Sequence, residues 1–148
     1  MTDTADREIV TTAVIAAPRA RVFDGWVDPV QMVQWWGPNG FTTTMQEMDM
    51  RPGGVWQFVM HRPDGVDYKN KSIFEEIVTP ERIVFSHLSG PAFRMTTTFD
   101  EGGGRTTVTM QMVFESAKER DQAVKVFGAV GGAKQTLARL EQHVTRPS

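Results

Sequence analysis

The chain has 148 residues, of which 40% are hydrophobic and 23% are charged, so we expect one folded domain with an apolar core and exclude a disordered or fibrous protein. The formal net charge is −2, with acidic and basic residues mixed along the sequence, which argues against nucleic acid as a partner. The absence of cysteine excludes disulfides, thiolate nucleophiles and cysteine-ligated zinc.

The first seven residues are polar and lack the apolar core of a signal peptide. No later stretch reaches the roughly 18 consecutive apolar residues that a membrane-spanning helix needs. We therefore expect a cytoplasmic protein that does not bind a membrane. Residues 1–148 should form a single domain, in which residues 1–7 are a short mobile leader.

The N-terminal third predicts one strand followed by two short helices. Residues 8–15 are rich in valine, isoleucine and threonine, which favours a strand, and Pro18 is placed to begin a helix. Apolar residues then recur at helical spacing over 22–27 and again over 30–36, with Asp28 and Pro29 between the two groups.

From about residue 40 to Phe114, six runs of β-forming residues alternate with turn sequences. The predicted turns lie at residues 51–54, 62–65, 79–82, 89–91 and 100–104. Parallel strands need connections of a dozen or more residues, so these short connections predict an antiparallel meander. With the N-terminal strand included, we expect a seven-stranded sheet and an α+β fold.

The C-terminal part predicts one long amphipathic helix. Ser116 is placed to cap its N-terminus, with Glu119 three residues later, and apolar residues continue at helical spacing to Val144. Three glycines fall inside the pattern, at positions 128, 131 and 132. We interpret them either as a kink or close approach to the sheet, or as room for a ligand.

Three of the predicted turns set the pairing of neighbouring strands, and partners across an antiparallel pair share a face of the sheet. The expected pairs are Met60–Tyr68, Phe58–Asn70, Trp56–Ser72, Phe74–His87, Glu76–Phe85, Phe99–Thr106, Met95–Met110 and Phe93–Met112. This register gives an inner wall of aromatic and methionine side chains that faces the C-terminal helix. Lys69, Lys71 and Glu75 fall on the outer face, toward solvent.

We predict that a small hydrophobic or aromatic molecule binds between this wall and the helix, without a cofactor. The candidate ligand-binding residues are Trp36, Trp56, Phe58, Met60, Tyr68, Asn70, Phe74, Glu76, Phe85, His87, Phe93, Met95, Met110, Met112, Phe127 and Val130. The polar members of this set would each need a partner, water or ligand if buried. Of the adjacent Trp35 and Trp36, we expect one in the core and the other near the pocket mouth or surface.

Other functions remain open at this point. His87, Glu76 and Tyr68 could serve as acid and base in a cyclase, isomerase or hydratase acting on a small ring compound, although Glu76 equally suits a structural role. The edge at Trp35 and Trp36, or the outer face of the sheet, could serve a protein-interaction or stress-response module, which includes a homodimer. The three histidines, at 61, 87 and 143, do not easily converge, so we expect no metal site.

Five stretches in fixed order carry a resemblance to a known family. They are Trp-Trp-Gly-Pro at 35–38, Pro-Gly-Gly-Val-Trp at 52–56, Pro-Asp-Gly at 63–65, Phe-Glu-Glu-Ile at 74–77 with Pro-Glu-Arg-Ile-Val-Phe at 80–85, and Gln-Thr-Leu at 135–137. Over about residues 8–144 the chain resembles bacterial proteins grouped with the C-terminal domain of the activator of the heat-shock-protein-ninety ATPase, in the START-like (SRPBCC) superfamily.

The resemblance implies a helix-grip fold, in which a curved antiparallel sheet wraps around a long C-terminal helix. It also implies a deep pocket between sheet and helix, which other members of the superfamily use for lipids, hormones, polyketides and aromatic compounds. Co-chaperone activity is not implied, because the eukaryotic activator has a separate N-terminal domain for which we find no room in this chain. One fold hosts many functions, so the resemblance is more specific for the fold than for the ligand.

Overall fold

One antiparallel sheet organises the computed structural model, which describes residues 4–90 and 92–146 and, at residue 127, the backbone alone. Its seven strands are β1 (Glu8–Ile15), β2 (Thr42–Met48), β3 (Val55–His61), β4 (Asp67–Val78), β5 (Arg82–His87), β6 (Phe93–Gly102) and β7 (Arg105–Phe114). Their order in the sheet is β1-β7-β6-β5-β4-β3-β2. The predicted meander and seven-stranded sheet are therefore confirmed, with β1 added beside the last strand.

Four helices cover one face or edge of the sheet: α1 (Arg19–Val27), α2 (Pro29–Trp35), α3 (Ala117–Phe127) and α4 (Ala129–Thr145). Asp28 caps α2, because its carboxylate accepts from the backbone N–H of Val30. Ser116 caps α3 by accepting from the N–H of Glu119, as the sequence predicts. Within the described part of the chain, none of these helices has the length and apolar character needed to cross a membrane.

The N-terminal residues before β1 include a short 3-10 turn, Ala5–Arg7. The guanidinium of Arg7 donates to the backbone carbonyl of Phe114 at 2.7 Å. This bond attaches the end of the predicted leader to the last strand, while residues 1–3 lie outside the described part of the chain.

The predicted single C-terminal helix is divided at Gly128. This residue has φ +60° and ψ +40°, a left-handed conformation that glycine adopts without the steric cost of a Cβ atom. Its N–H bonds to the carbonyl of Ala123 and ends α3, and α4 begins at the next residue. The kink interpretation is correct for Gly128, whereas Gly131 and Gly132 lie within α4, the long helix that packs on the sheet.

The register between β6 and β7 differs from the prediction by two residues. Gly103 and Gly104 both have positive φ and form a two-residue hairpin turn, which is centred one residue later in the chain than the expected pairs imply. The observed pairs are Phe93–Phe114, Met95–Met112 and Thr97–Met110. Because side chains alternate with a period of two, this shift leaves the predicted inner face unchanged.

Between β4 and β5 the predicted pairing is wrong for two reasons: Val78 pairs with Arg82, which moves the register at the turn by one residue, and β4 contains a bulge at Glu75. Strand β5 pairs His87 with Ser72 and Phe85 with Phe74, but Val84 with Glu76. The extra residue turns Glu76 to the outer face, contrary to its predicted inward position. There its carboxylate forms an ion pair with Arg82.

Below one end of the sheet, α1 and α2 supply a closely packed aromatic core. Trp26 contacts Trp35 and Phe99 with ring centroids 4.9 and 5.5 Å apart. Trp35 is fully buried, and its indole Nε1 donates to the carbonyl of Gly25 at 3.1 Å. The prediction that one of the two adjacent tryptophans enters the core is confirmed for Trp35.

Candidate functional site

A cavity of about 700 Å³ lies between the inner face of the sheet and the junction of α3 with α4. The predicted residues that line it are Trp36, Trp56, Phe58, Met60, Tyr68, Asn70, Phe85, His87, Phe93, Met95, Met110 and Met112. These side chains come from every strand of the sheet between β3 and β7, together with the end of α2. The curved sheet therefore supplies a continuous aromatic and methionine wall.

The opposite wall, from α3 and α4, consists mainly of small residues. Its members are Ala123, Val126, Gly128, Ala129, Gly131, Gly132, Ala133, Gln135 and Thr136. A Cβ atom added at Gly131 would meet no atom within 4 Å. The space exists because large side chains on the sheet face glycine and alanine on the helix, which leaves the middle unfilled.

Contacting aromatic rings form the deep part of the wall. Trp56 lies 4.6 Å from Phe58 and 5.1 Å from Phe85, measured between ring centroids. Trp36 is partly buried and stacks edge-on against Trp56 at 5.1 Å. Trp36 is therefore the tryptophan that reaches the cavity, while its neighbour Trp35 belongs to the core.

His87 and Asn70 form a hydrogen-bonded pair in the sheet wall of the cavity. His87 is 7% exposed, its Nε2 lies 2.7 Å from Asn70 Oδ1, and its ring stacks on Phe93. The Asn70 amide nitrogen donates to the carbonyl of Tyr68, which identifies Oδ1 as the acceptor and places the shared proton on His87 Nε2. The histidine is thus held in place by polar and aromatic contacts.

Tyr68 lies at the rim, where its hydroxyl accepts from Arg62 at 2.9 Å. Arg62 also forms a two-bond ion pair with Asp64 in the β3–β4 turn. The hydrogen bonds from Arg62 lower the pKa of the Asp64 carboxyl to about 2, and the same pairing raises the pKa of Arg62. These polar groups at the rim therefore satisfy one another's hydrogen-bonding capacity.

Four predicted site residues are not part of the described cavity wall. Glu76 lies on the outer face with Arg82, so the tentative catalytic group of His87, Glu76 and Tyr68 is not brought together. Phe74 is buried in the core, where it stacks on Trp56 at 5.7 Å. Val130 is 39% exposed on α4, and the side chain of Phe127 lies outside the described residues.

The sequence prediction missed the loop after α2, which forms one lip of the cavity mouth through Pro38 and Phe41. Arg139 of α4 donates to the carbonyls of Gly37 and Pro38, at 2.8 and 2.9 Å. Burial lowers the pKa of Arg139 because desolvation opposes its charged form. Long-range contacts position this loop, to α4 and through Phe41 to Tyr68 of β4, so no local pattern indicated its role.

Gln135 and Thr136 were also missed as wall residues, although both belong to a motif that the sequence displays. The backbone N–H of Asn39 donates to Gln135 Oε1 at 3.0 Å, which adds a second attachment between the loop and α4. Thr136 donates to the carbonyl of Gly132 within the helix. Thr136 lies one turn before the buried Leu140, a spacing that could have placed it toward the sheet, whereas Gln135 is exposed and gave no such signal.

The other two histidines, His61 and His143, do not line the cavity. His61 is on the outer face, where its ring contacts Asp67 at 2.8 Å and Thr44 at 2.7 Å. His143 hydrogen-bonds Gln31 between α4 and α2. In residues 4–90 and 92–146, no three histidine, cysteine or acidic side chains are grouped as metal ligands.

Solved structures with the same fold come from several bacteria. A protein from Arthrobacter aurescens has a TM-score of 0.90 at 22% identity, covering 100% of this chain and 91% of its own. One from Nitrosomonas europaea has a TM-score of 0.88 at 20% identity, with 95% and 96% coverage. One from Mycobacterium smegmatis has a TM-score of 0.87 at 26% identity, with 99% and 95% coverage. These similarities confirm the helix-grip fold.

Comparison of the sequence with families of known proteins agrees with this fold. A search of curated proteins found no match. The family model described as Activator of Hsp90 ATPase homolog 1-like protein, however, matches residues 16–145. Since that match covers most of the chain, the protein belongs to the family of Activator of Hsp90 ATPase homolog 1-like proteins.

Proposed function

We propose that this protein binds a small apolar or aromatic molecule in the cavity between the sheet and α4, and that it does so in the cytoplasm. One observation carries the proposal: a wall of aromatic and methionine side chains faces a helix segment of glycine and alanine across about 700 Å³ of unfilled space. That volume is within the usual range for small-molecule pockets. A ligand would bury apolar surface that the fold itself leaves uncovered.

The composition of the wall supports a ligand with a flat or irregular apolar body. Trp36, Trp56 and Phe58 offer ring faces and edges, which favour offset and edge-on contacts with another aromatic group. Met60, Met95, Met110 and Met112 add flexible thioether side chains that adapt to different shapes. We therefore expect tolerance for several related ligands rather than strict selection of one.

The enzyme hypothesis is weaker because one of its three candidate catalytic residues does not reach the cavity. Glu76 is the carboxylate that was to assist His87, and its bond to Arg82 keeps it on the other face of the sheet. His87 is bonded to Asn70 and stacked on Phe93, a setting that suits a wall residue. Binding without chemical conversion is accordingly the function we favour.

Tryptophan fluorescence tests the proposal directly, because Trp36 and Trp56 line the cavity. Titration with a hydrophobic dye and a panel of lipids and aromatic compounds should change their emission in a saturable way. Native mass spectrometry of protein fresh from cells should show a co-purified small molecule. Uniform failure of the panel and an empty native spectrum would contradict the proposal.

A matched pair of variants separates binding in the cavity from binding elsewhere. Ala133→Phe places a large ring on the cavity side of α4, whereas Ala138→Phe places the same ring on its exposed side. We expect the first to weaken binding by at least about tenfold and the second to leave it unchanged. Thermal denaturation of both variants verifies folding, and Ala133→Leu serves if the phenylalanine is not tolerated.

A further inference from the structure

The charged groups at the rim of the cavity already have ion-pair or hydrogen-bond partners. Arg62 is paired with Asp64, and the ring of His61 lies 2.8 Å from the carboxylate of Asp67. An ionised ligand group that entered the cavity would lose its hydration, and these pairs would have to break to compensate it.

Two other cations lie close to the mouth, and neither is directed into the cavity. Lys69 borders it, but the alternation along β4 puts its side chain on the outer face, opposite to Tyr68 and Asn70. Arg139 donates to the backbone carbonyls of the mouth loop. In the described part of the chain, the arginine and lysine side chains around the cavity are thus either already paired or directed away from a ligand carboxylate.

The wall of the cavity does contain neutral hydrogen-bond donors, one buried on the sheet side and one exposed on α4. Trp56 is 1% exposed, and its Nε1 has no acceptor among the described residues. Because a backbone N–H can only donate, the bond from Asn39 identifies the Gln135 atom there as Oε1 and leaves Nε2 as the donor of that amide. Both side chains belong to the cavity wall, one on the sheet and one on α4.

From these observations we infer that the ligand is an uncharged molecule that combines an apolar body with an oxygen acceptor, such as a ketone, ester or ether. The inference rests on the proposed binding function and specifies its ligand class. A carboxylate or ammonium group would have to break an existing ion pair to find a counter-ion, whereas a plain hydrocarbon would leave the buried Trp56 donor unpaired and would offer the exposed Gln135 amide no acceptor.

Four pyrene derivatives of nearly equal size test the inference: acetylpyrene, ethylpyrene, pyrenecarboxylate and pyrenemethylammonium. Each absorbs tryptophan emission, so quenching of Trp36 and Trp56 reports binding of all four on one scale. At neutral pH we expect the Kd of acetylpyrene to be about threefold below that of ethylpyrene and at least about tenfold below those of both ions.

Variants test which hydrogen-bond donor causes the preference for acetylpyrene over ethylpyrene. In Gln135→Leu, the advantage of acetylpyrene over ethylpyrene should fall toward one, while Gln142→Leu, at an exposed glutamine of the same helix, should keep it. If neither Gln135→Leu nor Trp56→Phe reduces the advantage, the assignment of the acceptor site is wrong.

The outcomes distinguish this inference from the proposed function. If no derivative binds, or if Ala133→Phe does not weaken binding, the proposed function itself is overturned. If ethylpyrene binds as tightly as acetylpyrene, the cavity binds ligands but the acceptor is not recognised. If pyrenecarboxylate binds most tightly and Lys69→Met removes that gain, the ligand is an anion and the inference is wrong.

Discussion

The inner face of one sheet covers two regions that differ in how they are filled. In the packed region, Val22, Phe23 and Trp26 of α1 and Met32 and Trp35 of α2 fill the space beneath the sheet, each no more than 4% exposed. In the cavity region, equally large sheet residues face the small residues of the α3–α4 junction. The volume of the side chains on the covering helix therefore decides whether a given part of the sheet becomes core or pocket.

The largest difference between the regions should appear when a tryptophan is removed from each. Trp35→Ala deletes a fully buried ring and its hydrogen bond to Gly25, so we expect a loss of about 3–5 kcal/mol in the free energy of unfolding. Trp36→Ala removes a ring that borders existing space, and should cost clearly less. Urea denaturation measures both, and equal losses would show that the cavity region is as tightly packed as the core.

Substitutions at two glycines test the helix side of the cavity region. Their effects on the free energy of unfolding should be smaller than that of Trp35→Ala. Gly128→Ala puts a Cβ atom at φ +60°, which we expect to cost about 1 kcal/mol. Gly131→Ala lies within α4, where an added Cβ has open space, and should gain up to about 1 kcal/mol through helix propensity. Thermal unfolding of the pair checks the opposite signs. A loss at Gly131 would mean that its lack of a side chain is needed for packing.

The smallest effect concerns a polar contact of the packed region, His143. Burial lowers the pKa of His143, and the charges of Arg21 and Arg146 lower it further. Between this lowered pKa and the unfolded value of about 6.5, the unfolded chain binds more protons, so the free energy of unfolding should fall as the pH drops through that window. Urea midpoints across mildly acidic pH should therefore decline less in His143→Gln than in the wild type. At slightly alkaline pH the two proteins should be similar.

Most of the sheet could be predicted from the sequence, because alternation and turn residues are local signals. The β3–β4 pairs, such as Phe58 with Asn70, are as expected, since the turn at residues 62–65 fixes both register and face. The β6–β7 register is shifted, but by an even number, so Met95 and Met112 remain on the inner face. Errors of this kind do not change which residues form the wall.

The bulge at Glu75 is a different case, since a single added residue reverses the face of all that follows in the strand. Two adjacent glutamates contain no local signal for which one is unpaired. Each forms an ion pair with an arginine, Glu75 with Arg94 of β6 and Glu76 with Arg82 at the start of β5. The bulge therefore set the face of the one carboxylate that the catalytic hypothesis needed, without a signal in the sequence pattern.

The helix break and the mouth loop show a similar limit. Helical spacing continues across Gly128, and glycine is tolerated inside helices at moderate cost, so the pattern alone could not choose between a continuous helix and a break. The mouth loop depends on bonds from Arg139 and Gln135, about a hundred residues later in the chain. Such long-range attachments are invisible to periodicity.

Those attachments also have a mechanical consequence. Arg139 and Gln135 join the loop after Trp36 to α4, and Phe41 of the same loop stacks on Tyr68 of β4. The lip therefore bridges the roof of the cavity and its sheet wall. Entry of a guest that moved α4 away from the sheet would have to stretch or break one of these two sets of contacts.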